Sequence, residues 1–185
     1  MALQNDLRAL RDRPYEILQE LERRGRAAAG GRRAVEGAEW VGVAFRLGQE
    51  FFLVPRDEMR EVMAMPPKLT RIPGARPWIL GLCNLRGQLL PVVDLRQFLG
   101  SGVTPATRVA RVLVVNHREI PVGLLVDEVI GFRRFAEAER ATSAPPTLIR
   151  CEQFLIGSFR RSGESWPVIG LRKLIEHPSF LQASA

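Results

Sequence analysis

Residues 78–96 read Trp-Ile-Leu-Gly-Leu-Cys-Asn-Leu-Arg-Gly-Gln-Leu-Leu-Pro-Val-Val-Asp-Leu-Arg, and this stretch decides the fold. Two apolar runs, Trp78 to Leu85 and Gln88 to Val93, flank a two-residue connection made of Arg86 and Gly87. Short connections in which glycine supplies a positive φ fold one strand back on the next, so the stretch is a β-hairpin. Asp94 follows it, with Gln97 three residues on. That is the outline of a capping box, and it predicts one short helix ending near Gly100.

The same strand grammar extends in both directions. Upstream, Val41, Val43, Phe45 and Leu47 alternate with smaller or polar residues, and Gly48 and Gln49 turn the chain into Phe51 to Val54, a first hairpin. Glu61 to Met65 is a further strand closed by Pro66 and Pro67. Downstream, Arg111 to Val115 and Ile120 to Val126 pair across Asn116 to Glu119, and Val129 to Phe132 continues that sheet. Ala136 to Pro146 is polar and proline-bearing, hence loop. Phe154 to Phe159 and Trp166 to Ile169 flank Arg161 to Gly163 as a last hairpin, and Leu171 to Glu176 closes as a helix that Pro178 stops. Strands at spacings of about ten residues with few helices define an all-β barrel or sandwich. The hairpin-rich halves before and after Gly100 suggest two subdomains.

The N-terminus differs. Leu3, Leu7 and Leu10, then Tyr15, Leu18 and Leu21, recur at helical spacing, so residues 1–24 are expected as a helical extension. Residues 25–39 collapse to Gly, Ala and Arg, too little apolar surface to order themselves, and are expected as a linker. The body is then 40–176, with 177–185 as a tail.

Composition sets the outer bounds. The chain has 185 residues, 46% of them hydrophobic, enough for one good core. No apolar run approaches the roughly 20 residues that cross a bilayer, and the acid-bearing N-terminus is wrong for a secretory leader, so a cytoplasmic location is expected. The formal charge of +7 is diffuse: residues 1–39 hold eight arginines against seven acids, and 40–185 hold 19 basic groups against 13 acidic ones. Basic residues come at most as pairs, such as Arg133 with Arg134 and Arg160 with Arg161, which reads as a solvated face. A small basic nucleic-acid-binding barrel is the competing class, but Phe45, Phe51, Phe52 and Trp78 lie within apolar alternation and read as core.

Catalytic chemistry is thinly supplied. His117 lies in a hairpin turn and His177 before Pro178, neither in a nucleophile or metal motif. Cys83 and Cys151 have no second thiol or imidazole at ligand spacing and read as one buried and one incidental thiol. The acid pairs Asp57 with Glu58 and Asp127 with Glu128 point to opposite faces of a strand and read as surface charge. No catalytic residue, metal site or cofactor is expected.

Three blocks in order carry a resemblance. Asn84 to Gly87 reads Asn-Leu-Arg-Gly, Pro91 to Arg96 reads Pro-Val-Val-Asp-Leu-Arg, and Val122 to Asp127 reads Val-Gly-Leu-Leu-Val-Asp. Together they closely resemble the CheW family, over about Trp40 to Ile175. The resemblance implies two intertwined five-stranded SH3-like barrels with a hydrophobic seam between them. It further implies a non-catalytic, cofactor-free scaffold that couples the regulatory domain of a CheA-type histidine kinase to the cytoplasmic tip of a chemoreceptor, touching the membrane only through that receptor. An ending His177-Pro178-Ser179-Phe180-Leu181 and a long N-terminus look more like the PilI-type branch, which serves twitching-motility (type IV pilus) arrays.

The resemblance also marks a partner-binding surface: Asn84, Leu85, Arg86 and Gly87 in the turn, Leu80 and Gly81 before it, and Met59, Glu61 and Val62 on the strand bordering the family's receptor groove. Asn84 and Gly87 suit a tight turn in their own right. An exposed turn does not require a guanidinium, whereas a fork of donors aimed at carboxylates or carbonyls on a partner helix does, so Arg86 is the principal contact expected. Asp94 is explained by capping alone. The sequence departs from the family at Leu80, where a basic residue is common, at Cys83, which replaces a β-branched residue, and at Ile169-Gly170-Leu171, where an Asp usually precedes the last helix.

Overall fold

A computed structural model describes residues 39–182. The helix expected over 1–24 and nearly all of the linker lie outside those residues. In chain order the strands are β1 (Glu39–Leu47), β2 (Glu50–Pro55), β3 (Met59–Ala64), β4 (Ile79–Leu85), β5 (Gln88–Asp94), β6 (Arg111–Val115), β7 (Gly123–Val126), β8 (Glu128–Ala136), β9 (Arg140–Ala141), β10 (Leu155–Arg161) and β11 (Glu164–Ile169). Three short helices complete them: α1 (Leu95–Phe98) after β5, then α2 (Leu171–Ile175) and α3 (Pro178–Leu181).

Two sheets form. One has six strands in the order β8-β1-β2-β11-β10-β9, the other five in the order β3-β6-β7-β5-β4. Every hairpin read from local punctuation is present, including β1 with β2, β4 with β5, β6 with β7 and β10 with β11. Local turns and alternation suffice to specify such pairs.

What local signals could not specify is which hairpins share a sheet. From Glu39 the described residues start in the six-stranded sheet, build the whole five-stranded sheet from β3 to β7, then return, so the division does not fall at Gly100. The parallel pairings of β2 with β11 and of β5 with β7 tie distant segments together. Strand β8 leaves the sheet of β6 and β7, which it was expected to continue, and runs along β1 from Glu39↔Ala136 to Arg46↔Glu128. The polar segment after it, expected as loop, contributes the two-residue strand β9 against β10, making this sheet six-stranded rather than five-stranded.

The core explains why several strands read as continuous apolar runs. On β6, Val112 and Val114 face a cluster with Cys83, Leu90, Val92 and Leu125, while Leu113 and Val115 face a larger one with Phe45, Phe52, Val93, Leu124 and Ile169. On β1, Ala44 faces a third cluster with Leu53, Phe135, Phe159 and Val168, while Val43 and Phe45 face the large one. Each sheet thus curls around its own core and presents its second face to a shared seam. Strands buried on both faces lose the polar half of their alternation.

Two expectations about single residues change. Phe51 is 44% exposed and lies against Trp166 at 6.0 Å, so it is surface rather than core. Cys151, read as incidental, is fully buried in the seam. Beyond α2, Pro178 both blocks that helix and opens α3, whose Phe180 returns to the seam at 6% exposure.

Candidate functional site

The β4–β5 register runs to Leu85↔Gln88, which leaves Arg86 and Gly87 as the whole loop. Their φ values are +52° and +85°. Positive φ at both central residues is the type I′ turn, whose twist matches paired strands, and an arginine there carries a backbone cost of about 1–2 kcal/mol. Asn84 offsets part of it: its Oδ1 accepts a hydrogen bond from the Gly87 N–H at 2.8 Å. The base of the Arg86 side chain is therefore fixed by the turn.

Its head is fixed as well. Arg86 Nη2 donates to Glu61 Oε2 at 2.7 Å, joining the hairpin tip to β3, the opposite edge of the same sheet. The arginine side chain remains 69% exposed against 23% for the glutamate. A guanidinium has five N–H donors and this contact engages one nitrogen, so the fork is aimed and still available. The sequence reading foresaw an outward-facing Arg86 but not its internal partner.

The other expected contact residues fall in different places. Strand β3 pairs Met59 with Val115 and Glu61 with Val114, so Arg60 is an extra, bulged residue that resets the alternation. Met59 is 4% exposed and belongs to the seam core, whereas Val62 is 37% exposed on the face opposite Glu61. Leu80 and Leu85 are half-buried against the cluster around Val112. Gly81 is buried, with φ +142°, and a Cβ there would stand 2.5 Å from the Thr70 carbonyl oxygen. Its role is to let the segment before β4 pass closely, as the Thr70↔Leu82 bridge shows. The structure therefore gathers Asn84, Leu85, Arg86, Gly87 and Glu61 at one end of the five-stranded sheet and leaves Met59 and Gly81 as internal supports.

Beside the turn lies a groove of about 520 Å³ whose lining includes Arg60, Leu85, Leu89, His117, Arg118 and Pro121. Leu89 is 65% exposed. Its position between Gln88 and buried Leu90 on the hairpin was the one sequence signal that could have marked it, since alternation sends it outward. Arg60 and Arg118 carried no such signal. The loop wall is held by His117, whose Nδ1 accepts from the N–H groups of Glu119 and Ile120 at 3.2 and 3.0 Å and whose Nε2 lies 3.0 Å from Glu176 Oε1. A ring nitrogen that accepts two N–H groups carries no proton, so in the neutral ring Nε2 is the donor to Glu176.

The remaining polar residues of the three sequence blocks hold the fold together. Asp94 is fully buried and caps α1 through the Gln97 N–H at 3.2 Å, while its carboxylate also accepts from the Thr104 N–H and hydroxyl at 2.8 and 2.7 Å. Asp127, read as surface charge, is 4% exposed; it accepts from Arg96 Nη1 at 3.1 Å and from the Gly48 N–H at 2.8 Å. Buried carboxylates need such partners. Asp127 stands between β7 and β8, Gly48 in the β1–β2 turn and Arg96 in α1, so this cluster is a joint between the two sheets.

A pair of intertwined β sheets whose sequence signature is divided between an internal joint and an exposed, charge-bearing turn is a docking scaffold. The chain belongs to the CheW-like domain family, which matches residues 41–179. It is 36% identical over 173 residues to Protein PilI of Pseudomonas aeruginosa, spanning 92% of this chain and 96% of that protein. It is 30% identical over 136 residues to Protein FrzA of Myxococcus xanthus, spanning 71% and 82%. The crystal structure of the scaffolding protein TtCheW from Thermoanaerobacter tengcongensis superposes with a TM-score of 0.66 at 27% identity, covering 77% of this chain and 96% of that one. The two-barrel, CheW-like scaffold expected from the sequence is thereby shown, and the comparisons lend the nucleic-acid alternative no support. Among the described residues no helix is long and apolar enough to cross a membrane.

Proposed function

We propose that the chain is a non-catalytic adaptor that couples a CheA-type histidine kinase, through its regulatory domain, to the cytoplasmic tip of a chemoreceptor, in an array of the twitching-motility (type IV pilus) type. The likeness to Protein PilI along nearly the whole chain supports the choice of system. One observation carries the docking role: Arg86 is fixed at both ends, by an Asn84-supported turn and by Glu61, yet its head stays largely in solvent, and the groove beside the turn is lined by leucines together with Arg60, His117 and Arg118. A preorganised guanidinium beside exposed leucine suits a helix that offers acidic or carbonyl acceptors along an apolar stripe. The absence of a catalytic role is inferred from the family's polar signature being engaged elsewhere: Asp94 caps α1 and accepts from Thr104, and Asp127 accepts from Arg96 and Gly48. Such an adaptor works in the cytoplasm and meets the membrane only through its receptor.

The test is capture of a receptor cytoplasmic fragment and, separately, of the kinase regulatory domain by the full chain and by Arg86→Ala. Loss of receptor capture with unchanged thermal melting supports the reading. Undiminished capture of both partners by the variant overturns the role of Arg86, and failure of the parent chain to hold either overturns the adaptor assignment.

A further inference from the structure

A second groove, of about 470 Å³, lies away from the Arg86 turn, where the start of β4 meets α1 and α3; its lining includes Arg76, Trp78, Phe98, Arg150 and Gln153. Its floor is aromatic. Trp78 lies 5.2 Å from Phe98 edge-on and 5.5 Å from Phe180 in a stack, and Phe98 continues to Phe154 at 5.9 Å. Phe154 and Phe180 are buried, whereas Trp78 and Phe98 stay partly open to the groove. The rim is cationic. Arg76 and Arg150 are both exposed, and neither guanidinium meets a carboxylate among the described residues, a state they share with Arg60 and Arg118 at the first groove, which lacks the aromatic floor.

The loop that carries Arg150 is rigid where rigidity matters. Both oxygens of Glu50 accept backbone N–H groups there, from Leu148 and Ile149 at 2.9 Å each, and Thr147 Oγ1 donates to the Ile149 carbonyl at 2.8 Å. Ile149 is thereby seated in the core at 5% exposure, and Leu148 is held outward at 84%. Ordering that is already complete before binding does not have to be supplied by the partner.

Two exposed arginines that meet no carboxylate among the described residues, set over an aromatic floor, define complementary chemistry. We propose that this groove docks an acidic segment of a partner protein, which sets an apolar side chain on Trp78 and Phe98 and its carboxylates against Arg76 and Arg150. Guanidinium forks bind carboxylates in two-point fashion and stack on aromatic planes, a combination that a diffuse basic surface lacks. The inference goes beyond the adaptor reading, since the groove is separate from the Arg86 turn and does not depend on which partner that turn receives.

The test uses the full chain and two fluorescein-labelled twelve-residue peptides, one with glutamates around a central Phe-Leu pair, the other with lysines replacing the glutamates. Anisotropy titration is expected to show saturable binding of the acidic peptide only. The double variant Arg76→Glu/Arg150→Glu should weaken that binding at least tenfold, Phe98→Ala should weaken it severalfold, and Arg86→Glu should leave it unchanged; thermal melts of each variant establish that it is folded. Equal binding of the two peptides, no binding of the acidic one, or retention by the double variant overturns the proposal. Displacement of the bound peptide by single-stranded DNA at equal phosphate and carboxylate concentration overturns it too, because it makes the rim a general anion surface. Receptor and kinase capture by the double variant are read in parallel: their loss together with peptide binding would mean the groove is part of the adaptor surface, whereas their retention keeps the two sites independent.

Discussion

Arg86 and Glu61 form an exposed pair, and such pairs add only about 0–1 kcal/mol to stability. Their separate replacement should therefore leave folding almost intact and report on docking alone. The reversal Arg86→Glu/Glu61→Arg is sharper: it restores the internal ion pair but inverts the charge shown to a partner, so we predict near-parental thermal melting and lost receptor capture. Recovery of capture in the swapped chain would mean that the ion pair, not the arginine, is what matters. Cys151 gives a pH prediction. Burial pushes its thiol up to about 11 from an ordinary 9.0, with nearby Glu152 and Glu50 adding to the shift against a hydrogen bond from Thr147. The folded state thus keeps the proton after the unfolded chain has lost it, so the contribution is full below about pH 9 and falls away as pH rises toward 11. Urea unfolding at pH 8 and pH 10 should show a larger loss for the parent than for Cys151→Ala, and parallel losses would refute the assignment.

At the scale of elements, the end of β8 is clasped to β10. Arg161 bonds both oxygens of Glu139, donates to the Arg134 carbonyl at 2.6 Å and lies 4.4 Å over the Phe135 ring. Together with the Ala136 N–H, this guanidinium holds the Glu139 carboxyl down at about 2 from an ordinary 4.5. The stabilisation is present above the ordinary value and is lost as pH falls toward 2. Glu139→Gln should flatten the acid limb of the stability profile, most visibly as faster hydrogen exchange along β8 and β9, and an unchanged limb would show the clasp to be idle. Strand β6 tests the double-sided core. Leu113→Ala removes a fully buried side chain from the seam and should cost about 2–5 kcal/mol. A cost well below that range, measured by urea unfolding, would mean the seam collapses around the gap.

For the whole molecule the decisive interaction is the joint at Asp127. Its side chain is 5% exposed and that of Arg96 20%, so removing one partner strands a mostly buried charge. Asp127→Ala should cost about 3 kcal/mol or more, while Arg96→Met with Asp127→Leu should cost less than Asp127→Ala, because no unpaired charge then remains. A larger loss in the double variant would instead assign the joint a net attractive role. Because Gly48, Asp127 and Arg96 belong to the first hairpin, the sheet crossover and α1, the joint ties together segments far apart in the chain. Weakening it should lower receptor and kinase capture together, since each docking surface depends on the two sheets being held in one geometry.

The sequence by itself determined the hairpins, the two-residue turn supported by Asn84 and Gly87, the Asp94 cap and the CheW-like family, because each is written in residues a few positions apart. Only the tertiary structure decided the rest. The placing of β8 on β1, the parallel seams, the pairing of Arg86 with Glu61 and the burial of Asp127 all join residues separated by 25 to 115 positions, as Arg86 with Glu61 and Leu53 with Val168 illustrate. Alternation says which side of a strand is apolar but not which neighbour covers it, so a strand buried on both faces, or a carboxylate buried by a distant arginine, becomes legible only when the chain has folded.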